Sequence, residues 1–232
     1  MLAGMYREWA TGLAGAVAWR RVVEEPQTHR ILPDGCLDLI WSDGRLLVAG
    51  PDTAAQEMTS PAGRAYVGLR FMPGTGPSVF GVPADELRDS RVGLDEIWPQ
   101  RLVDRLTSRV GEAPDRIAAL VDIARPRIDV DRVTDAVVAG LRAGRPVASV
   151  AQAVGLSERQ LLRRSLAVFG YGPKTLARIL RMERALALAA RGVPAVDIAV
   201  RVGYADQAHL SREVKVLAGV PLTKLWAERA QV

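Results

Sequence analysis

Two short polar runs in the C-terminal half carry residue types suited to reading the edges of nucleic-acid bases. In the first, Arg159 and Arg163 are four positions apart and share one face of any helix they occupy. Arginine presents a planar fork that pairs bidentately with guanine O6 and N7. Between them, Gln160 suits an adenine or a phosphate, and Leu162 suits a thymine methyl group. In the second run, Gln207, Ala208, His209 and Ser211 lead to Arg212, the counterpart of Arg163. His209 reads better as a hydrogen-bonding partner of a phosphate or of its own helix than as a base reader. Ser157, Arg164 and Lys174 are candidate phosphate contacts, the first aided by the N–H groups at a helix start.

The elements that must position these residues are legible around them. The stretch DIAVRVGYADQAHLSREVKVLAGVP places Ile198, Ala199 and Val202 on the apolar stripe of a short helix. Gly203 can adopt the left-handed backbone that stops it. Asp206 then caps a second helix with Leu210, Val214 and Leu217 inward. Helix, glycine turn and helix with a polar outer face make a helix-turn-helix, whose second helix enters the major groove of DNA.

The pattern occurs twice. In SVAQAVGLSERQLLRRSLAVFGYGP, Ala151, Val154 and Gly155 lie 48 residues before Ala199, Val202 and Gly203. Ser157, Leu161, Arg163 and Gly170 lie 49 residues before Asp206, Leu210, Arg212 and Gly219. Between the copies, 174–191 is amphipathic, with Leu176, Ile179, Leu180, Ala185 and Leu188 toward a core. A helix of that length spans ~27 Å, which suits two recognition helices held roughly one DNA turn apart, ~34–36 Å.

Charge separates the two halves. Residues 131–232 hold 16 Lys+Arg against 8 Asp+Glu, whereas residues 1–130 hold 15 against 18, so the C-terminal part carries +8 and the N-terminal part −3. A polyanion partner is therefore expected for the C-terminal part alone. The single cysteine, Cys36, excludes an intramolecular disulfide and fits a reducing cytoplasm. His29 and His209 are the only histidines, so no cofactor or metal site is expected. No run approaches the ~18 apolar residues of a membrane span. Ala16-Val17-Ala18 has the small-residue spacing of a signal-peptide cleavage site. Arg20 and Arg21 follow at once, however, and the run reads better as the start of a strand.

The first 125 residues read as a β-rich unit. Ala16–Val23, Leu37–Trp41, Leu46–Ala49 and Tyr66–Phe71 are strand-like and separated by Pro-, Gly- and Asp-rich turns. They predict a small β-barrel or sandwich, followed by a short helix and turn over 83–92. Two amphipathic helices follow over 99–110 and 115–124. Arg125-Pro126-Arg127 marks a boundary, and a helix over 130–143 opens the second unit with Val133, Val137, Val138 and Leu141 inward. The expected fold is α+β: a sensor or dimerisation domain over 1–125 and an all-α domain over 130–232. If the barrel holds a small molecule, Trp41, Tyr66 and Arg70 are candidates for an apolar wall with one polar anchor. Asp34 and Asp38 beside Cys36 read as a turn aspartate and its surroundings rather than as a metal or nucleophile site.

Residues 130–232 resemble the AraC/XylS family of bacterial transcription regulators. The resemblance rests on GYADQAHLSREVKVLAGVP, with GLSERQLLRR and RMERALALAARG in support. The front half, with LPDGCLDLIW, AGPDT and GLRFMPG, is similar to a sensor-type domain that precedes this module in some members. That similarity names no ligand. Where the family usually has a core aromatic two positions after the first recognition arginine, this chain has Ser165, and the second copy has Val214.

The resemblance implies a cytoplasmic, non-enzymatic, sequence-specific regulator acting on double-stranded DNA. Candidate further partners are RNA polymerase, a small-molecule effector and a second copy of the chain. The alternative is a barrel-type enzyme fused to a helical DNA-binding module. A metal-dependent barrel enzyme needs clustered histidines, which the strands lack.

Overall fold

The computed structural model describes residues 6–225, so the outer ends of the two expected units, 1–5 and 226–232, lie outside the described residues. The chain begins with β1 (Tyr6–Ala10), β2 (Ala16–Val22), β3 (Gln27–Ile31), β4 (Leu37–Ser42), β5 (Arg45–Ala49), β6 (Gln56–Ser60) and β7 (Ala65–Phe71). A one-turn helix α1 (Gly76–Phe80) and strand β8 (Arg91–Gly93) follow, with a 3-10 turn over Ala84–Glu86 between them. Six strands form one antiparallel sheet in the order β1-β2-β7-β4-β5-β8, while β3 and β6 pair separately as a ribbon.

Sheet register decides which side chains meet. Leu37, Leu39 and Trp41 of β4 pair with Phe71, Leu69 and Val67 of β7, so these residues share one face. That face is the core. Phe71 meets Phe80 edge-on at 5.6 Å, and Gly111 of an overlying helix leaves space for the Trp41 ring, which a Cβ there would approach to 3.4 Å. Helices α2 (Gln100–Glu112) and α3 (Arg116–Ala124) cover this face through Val103, Leu106, Val110, Leu120 and Ile123. The opposite face carries Glu8, Trp19, Gly68, Asp38 and Arg70. The Trp19 indole lies so close over Gly68 that a Cβ there would sit 2.6 Å from the ring.

The C-terminal half is helical: α4 (Arg132–Arg142), α5 (Val147–Ala153), α6 (Glu158–Phe169), α7 (Pro173–Ala189), α8 (Ala195–Val202) and α9 (Gln207–Ala218). Its core runs without interruption from Val137 to Leu225 and includes Leu161, Phe169, Leu176, Ile179, Ile198 and Leu210. The core of the sheet and its helices is a separate cluster running from Ala16 to Ala124. On α4 the inward position expected of Val133 belongs to Thr134, which is buried. Its neighbour Asp131 caps the helix, accepting from Thr134 N at 2.6 Å.

Strands β1, β3, β6 and β8 have no sequence-level counterpart. β1, β3 and β6 are rich in charged and polar residues and have no fully apolar face, so alternation does not mark them. The loop from Gly50 to Thr53 follows β5 under tight constraint. A Cβ on Gly50 would lie 1.5 Å from the Leu87 carbonyl oxygen. Gly50→Ala must therefore displace backbone and is expected to lower stability by about 1–3 kcal/mol or more. Urea unfolding of the variant against the parent chain checks this, and an unchanged midpoint would contradict the close approach.

Candidate nucleic-acid interface

The two halves of the repeat fold alike, and each local device has a physical cause. Helix α5 gives way to Gly155 at φ 70° and α8 to Gly203 at φ 82°, a region where a Cβ is strained. Ser157 caps α6, its Oγ accepting from Gln160 N at 3.3 Å, while Gln160 Oε1 accepts from Ser157 N at 2.8 Å. This reciprocal box satisfies two of the N–H groups that a helix start leaves open. Asp206 does the same work on α9, accepting from His209 N at 2.6 Å. Gly170 and Gly219 end the two recognition helices in the left-handed conformation.

These caps turn matching faces outward. Leu161 and Leu210 are fully buried at equivalent positions, while Arg159, Leu162, Arg163, Gln207, Ala208 and Arg212 are exposed. Ser157, Arg159, Gln160 and Arg163 line one surface concavity at the start of α6. Ser211 is half-buried on α9, and Lys174 is exposed at the first turn of α7.

Arg164, Gln160 and His209 each have a partner within the protein. The Arg164 guanidinium is bound to Asp131 and to Thr134 Oγ1 (3.4 Å), tying α6 to the start of α4. Hydrogen bonds from Thr134, with Arg164 adding to them, hold the Asp131 carboxyl down to about 2. The oxygen of Gln160 is engaged in the capping box, accepting from Ser157 N and Ser157 Oγ. His209 packs edge-on to Tyr204 at 5.2 Å, and its Nδ1 accepts from Ala205 N at 3.3 Å. The ring thus braces the turn of the second motif, through a backbone N–H that precedes its helix.

The linker α7 supplies residues that periodicity alone did not single out. Arg178 Nε and Nη2 donate to Glu213 of α9 at 2.8 and 3.3 Å. Arg181 lies 5.4 Å over the Tyr204 ring, and Arg184 Nη2 reaches the Arg201 carbonyl at 3.4 Å. Their spacing of three residues puts all three arginines along one side of the helix, and that spacing is the signal from which they could have been found. Ser165 is fully buried, and its Oγ has no hydrogen-bond partner among the described residues; Phe169 lies buried one turn away.

The tentative ligand wall in the front half is not assembled. Trp41 faces the apolar core, whereas Arg70 and Tyr66 alternate onto the opposite face of the same sheet. Tyr66 OH pairs with Ser60 Oγ at 3.1 Å. Arg70 is held among Glu8, Asp34 and Asp38 at 3.4–3.5 Å. Asp34 Oδ1 accepts from Cys36 N at 2.9 Å, the aspartate turn expected from the sequence, and Cys36 is buried. Among the described residues no group of three or more His, Cys, Asp and Glu could hold a metal ion, and no helix is long and apolar enough to cross a membrane.

The fold and this pair of capped, arginine-bearing helices define a DNA-binding transcription regulator with two helix-turn-helix motifs. Residues 150–227 match the family described as "Helix-turn-helix domain". Residues 13–93 match "Domain of unknown function (DUF6597)". No curated protein matches the chain in sequence. Among solved structures, ToxT from Vibrio cholerae in a P21 crystal form is 11% identical with a TM-score of 0.51, covering 97% of this chain and 98% of that one. ToxT from Vibrio cholerae O395 bound to (E)-4-(8-methylnaphthalen-1-yl)but-3-enoic acid is 10% identical with a TM-score of 0.50, covering 97% and 99%. At these identities the similarity shows a shared fold: an antiparallel sheet domain, then helices, then a helical domain.

Titration of the half-buried Asp38 gives the front half a pH signature. Burial pushes its carboxyl up to about 6, against the opposing pull of Arg70 and of the Trp19 Nε1–H, which donates to Oδ1 at 2.6 Å. The folded state then binds this proton more tightly than the unfolded state. The stabilisation it brings is complete below about pH 4 and is lost as pH rises through about 6. Asp38→Asn should flatten that part of the stability profile, as measured by thermal unfolding in buffered steps from pH 4 to 7.5. An unchanged profile would contradict the assignment.

Proposed function

We propose that this protein binds DNA sequence-specifically by placing α6 and α9 in adjacent major-groove segments of one duplex. The observation that carries the reading is the equivalence of the two motifs: each has a glycine turn, a capped start and an arginine six positions after the cap on an exposed face. A 17-residue α7 rises about 26 Å at 1.5 Å per residue, and the shared core leaves each motif little freedom to drift. Arg159, Arg163 and Arg212 are assigned to bases, with Leu162, Gln207, Ala208 and Ser211 at the groove wall. Ser157 and Lys174 take the phosphate backbone. Residues 1–125 and 130–232 are the sensing and DNA-binding units of this reading. It places the protein in the cytoplasm as a non-enzymatic regulator, with RNA polymerase as the downstream partner.

Arg163→Ala and Arg212→Ala should each cost ~1–3 kcal/mol on a specific duplex and relax its sequence preference. Lys174→Ala should weaken specific and scrambled duplexes alike and lower the salt slope by about one unit. Fluorescence titrations across ionic strength separate the two behaviours. Equal losses on both duplexes for Arg163→Ala would remove it from base readout.

An open cleft between the halves is where a small-molecule effector would bind in this reading. It has a volume of about 860 Å³, a mainly apolar lining that includes Met72, Pro73, Val130 and Val138, and Arg142 and Arg184 among its walls. That size suits a drug-sized ligand, and the two guanidinium groups, set against the one carboxylate of Asp135, favour a carboxylate. ToxT, as noted, has been crystallised with an aryl butenoic acid. The same acid should raise the melting temperature of this protein, and Arg142→Ala should reduce the rise. No rise at saturating acid would count against the effector reading while leaving the DNA-binding reading intact.

A further inference from the structure

The motif Ala49-Gly50-Pro51-Asp52-Thr53 has no role in groove reading, yet with the residues after it, it contacts both helix-turn-helix units. Pro51 and the Ala84 carbonyl close on Gly170 at the end of α6, where a Cβ would lie 2.7 Å from the proline ring and 3.0 Å from the carbonyl oxygen. Arg88 Nη1, from the adjoining turn, donates to Gly170 O at 3.1 Å. Ala55 N, four residues beyond Pro51, donates to Leu217 O in the last turn of α9 at 2.7 Å. Gly219, the counterpart of Gly170, packs against the Arg30 guanidinium of the β3–β6 ribbon. Helix ends leave carbonyls without partners, and here the front domain supplies donors to the ends of both recognition helices.

The segment between these contacts is held stiffly. Gly50 N donates to Ser90 O at 3.0 Å and Asp89 N to Pro51 O at 3.2 Å. Asp89 Oδ1 accepts from Thr53 N at 2.7 Å, while Arg91 Nη1 donates to buried Asp52 at 3.0 Å. Asp89 itself sits at φ 55°, a left-handed conformation rare for a residue with a Cβ and kept only where surrounding bonds fix it. The other two front-half motifs dock on the same helical half. Gly35 lies against Leu176 and the Tyr171 hydroxyl, and Gly74 against Thr134 and Phe169.

We propose that the strap from Gly50 to Ala55, with Arg88, is a positioning element that fixes the separation of α6 and α9 and so selects the spacing between DNA half-sites. The inference rests on the two-helix reading of DNA proposed above. It assigns the front domain a direct part in operator choice, whether or not an effector is bound.

The test uses the full chain and a duplex series in which zero to five base pairs are inserted between the two half-sites of its footprinted site. The parent should favour one spacing. Arg88→Ala and Ala55→Pro should narrow the preference between best and next-best spacing by about fivefold to tenfold, the effect of losing one such hydrogen bond. Binding to a single half-site should be unchanged. Amide exchange at the C-terminal ends of α6 (Arg88→Ala) and α9 (Ala55→Pro) should quicken in step. Arg88 is exposed, so its variant carries the test if Ala55→Pro does not fold.

An unaltered spacing profile in folded variants, or an equal loss at every spacing and on the single half-site, overturns the proposal. A parent chain that binds one half-site as tightly as two defeats instead the two-helix reading; unchanged exchange at both helix ends then independently rejects the strap contact.

Discussion

Both helix-turn-helix motifs depend on the buried stripe of α7. Leu176, Ile179, Leu180, Met182, Ala185 and Leu186 are all nearly inaccessible and belong to one core shared with Leu161 of the first recognition helix and Leu210 of the second. The motifs are therefore two halves of a single packed unit rather than two beads on a linker. Close-packed interiors are stiff, so the core sets the range of poses open to α6 and α9, within which the proposed strap acts. The arginines on the opposite side of α7 complete this. Arg178 grips Glu213, Arg181 covers Tyr204 and Arg184 meets the end of α8, each of them on the second motif.

The front half uses its sheet asymmetrically. One face is apolar and sealed by α1, α2 and α3. The other carries Asp38, Arg70 and Trp19 in a bonded cluster beside the turns that meet the helical half. Burying Arg70 among carboxylates is costly unless the charges are paired, and each of its three partners comes from a different segment. The cluster ties β1, β4, β7 and the Asp34 turn to one another. The same geometry explains why Trp41 and Arg70 cannot form one pocket: a sheet has two sides, and they are on different ones.

Legibility from sequence followed the strength of the local signal. Caps and glycine turns were readable because each depends on a residue type within four positions of its partner, as with Ser157 and Gln160 or Asp206 and His209. The helices of the C-terminal half had clear 3.6-residue stripes, and the apolar strands β2, β4, β5 and β7 had clear alternation. Strands β1, β3 and β6 escaped notice because polar strands at an edge or in a two-stranded ribbon bury little on either side. Thr134 escaped because a threonine beside an aspartate cap looks like a surface residue until the arginine of another helix is brought to it.

The sequence by itself determined the duplicated motif, its capping residues and the arginines on its outer faces, since periodicity and local hydrogen bonding fix all of these over a few turns. Only the tertiary structure decided that Arg164 braces α4, that Trp41 and Arg70 face opposite ways, and that the Gly50–Ala55 strap reaches the ends of both recognition helices. Those outcomes join residues some 30 to 160 positions apart. Contacts at that range are set by how sheet register and helix packing place whole elements, which no local pattern encodes.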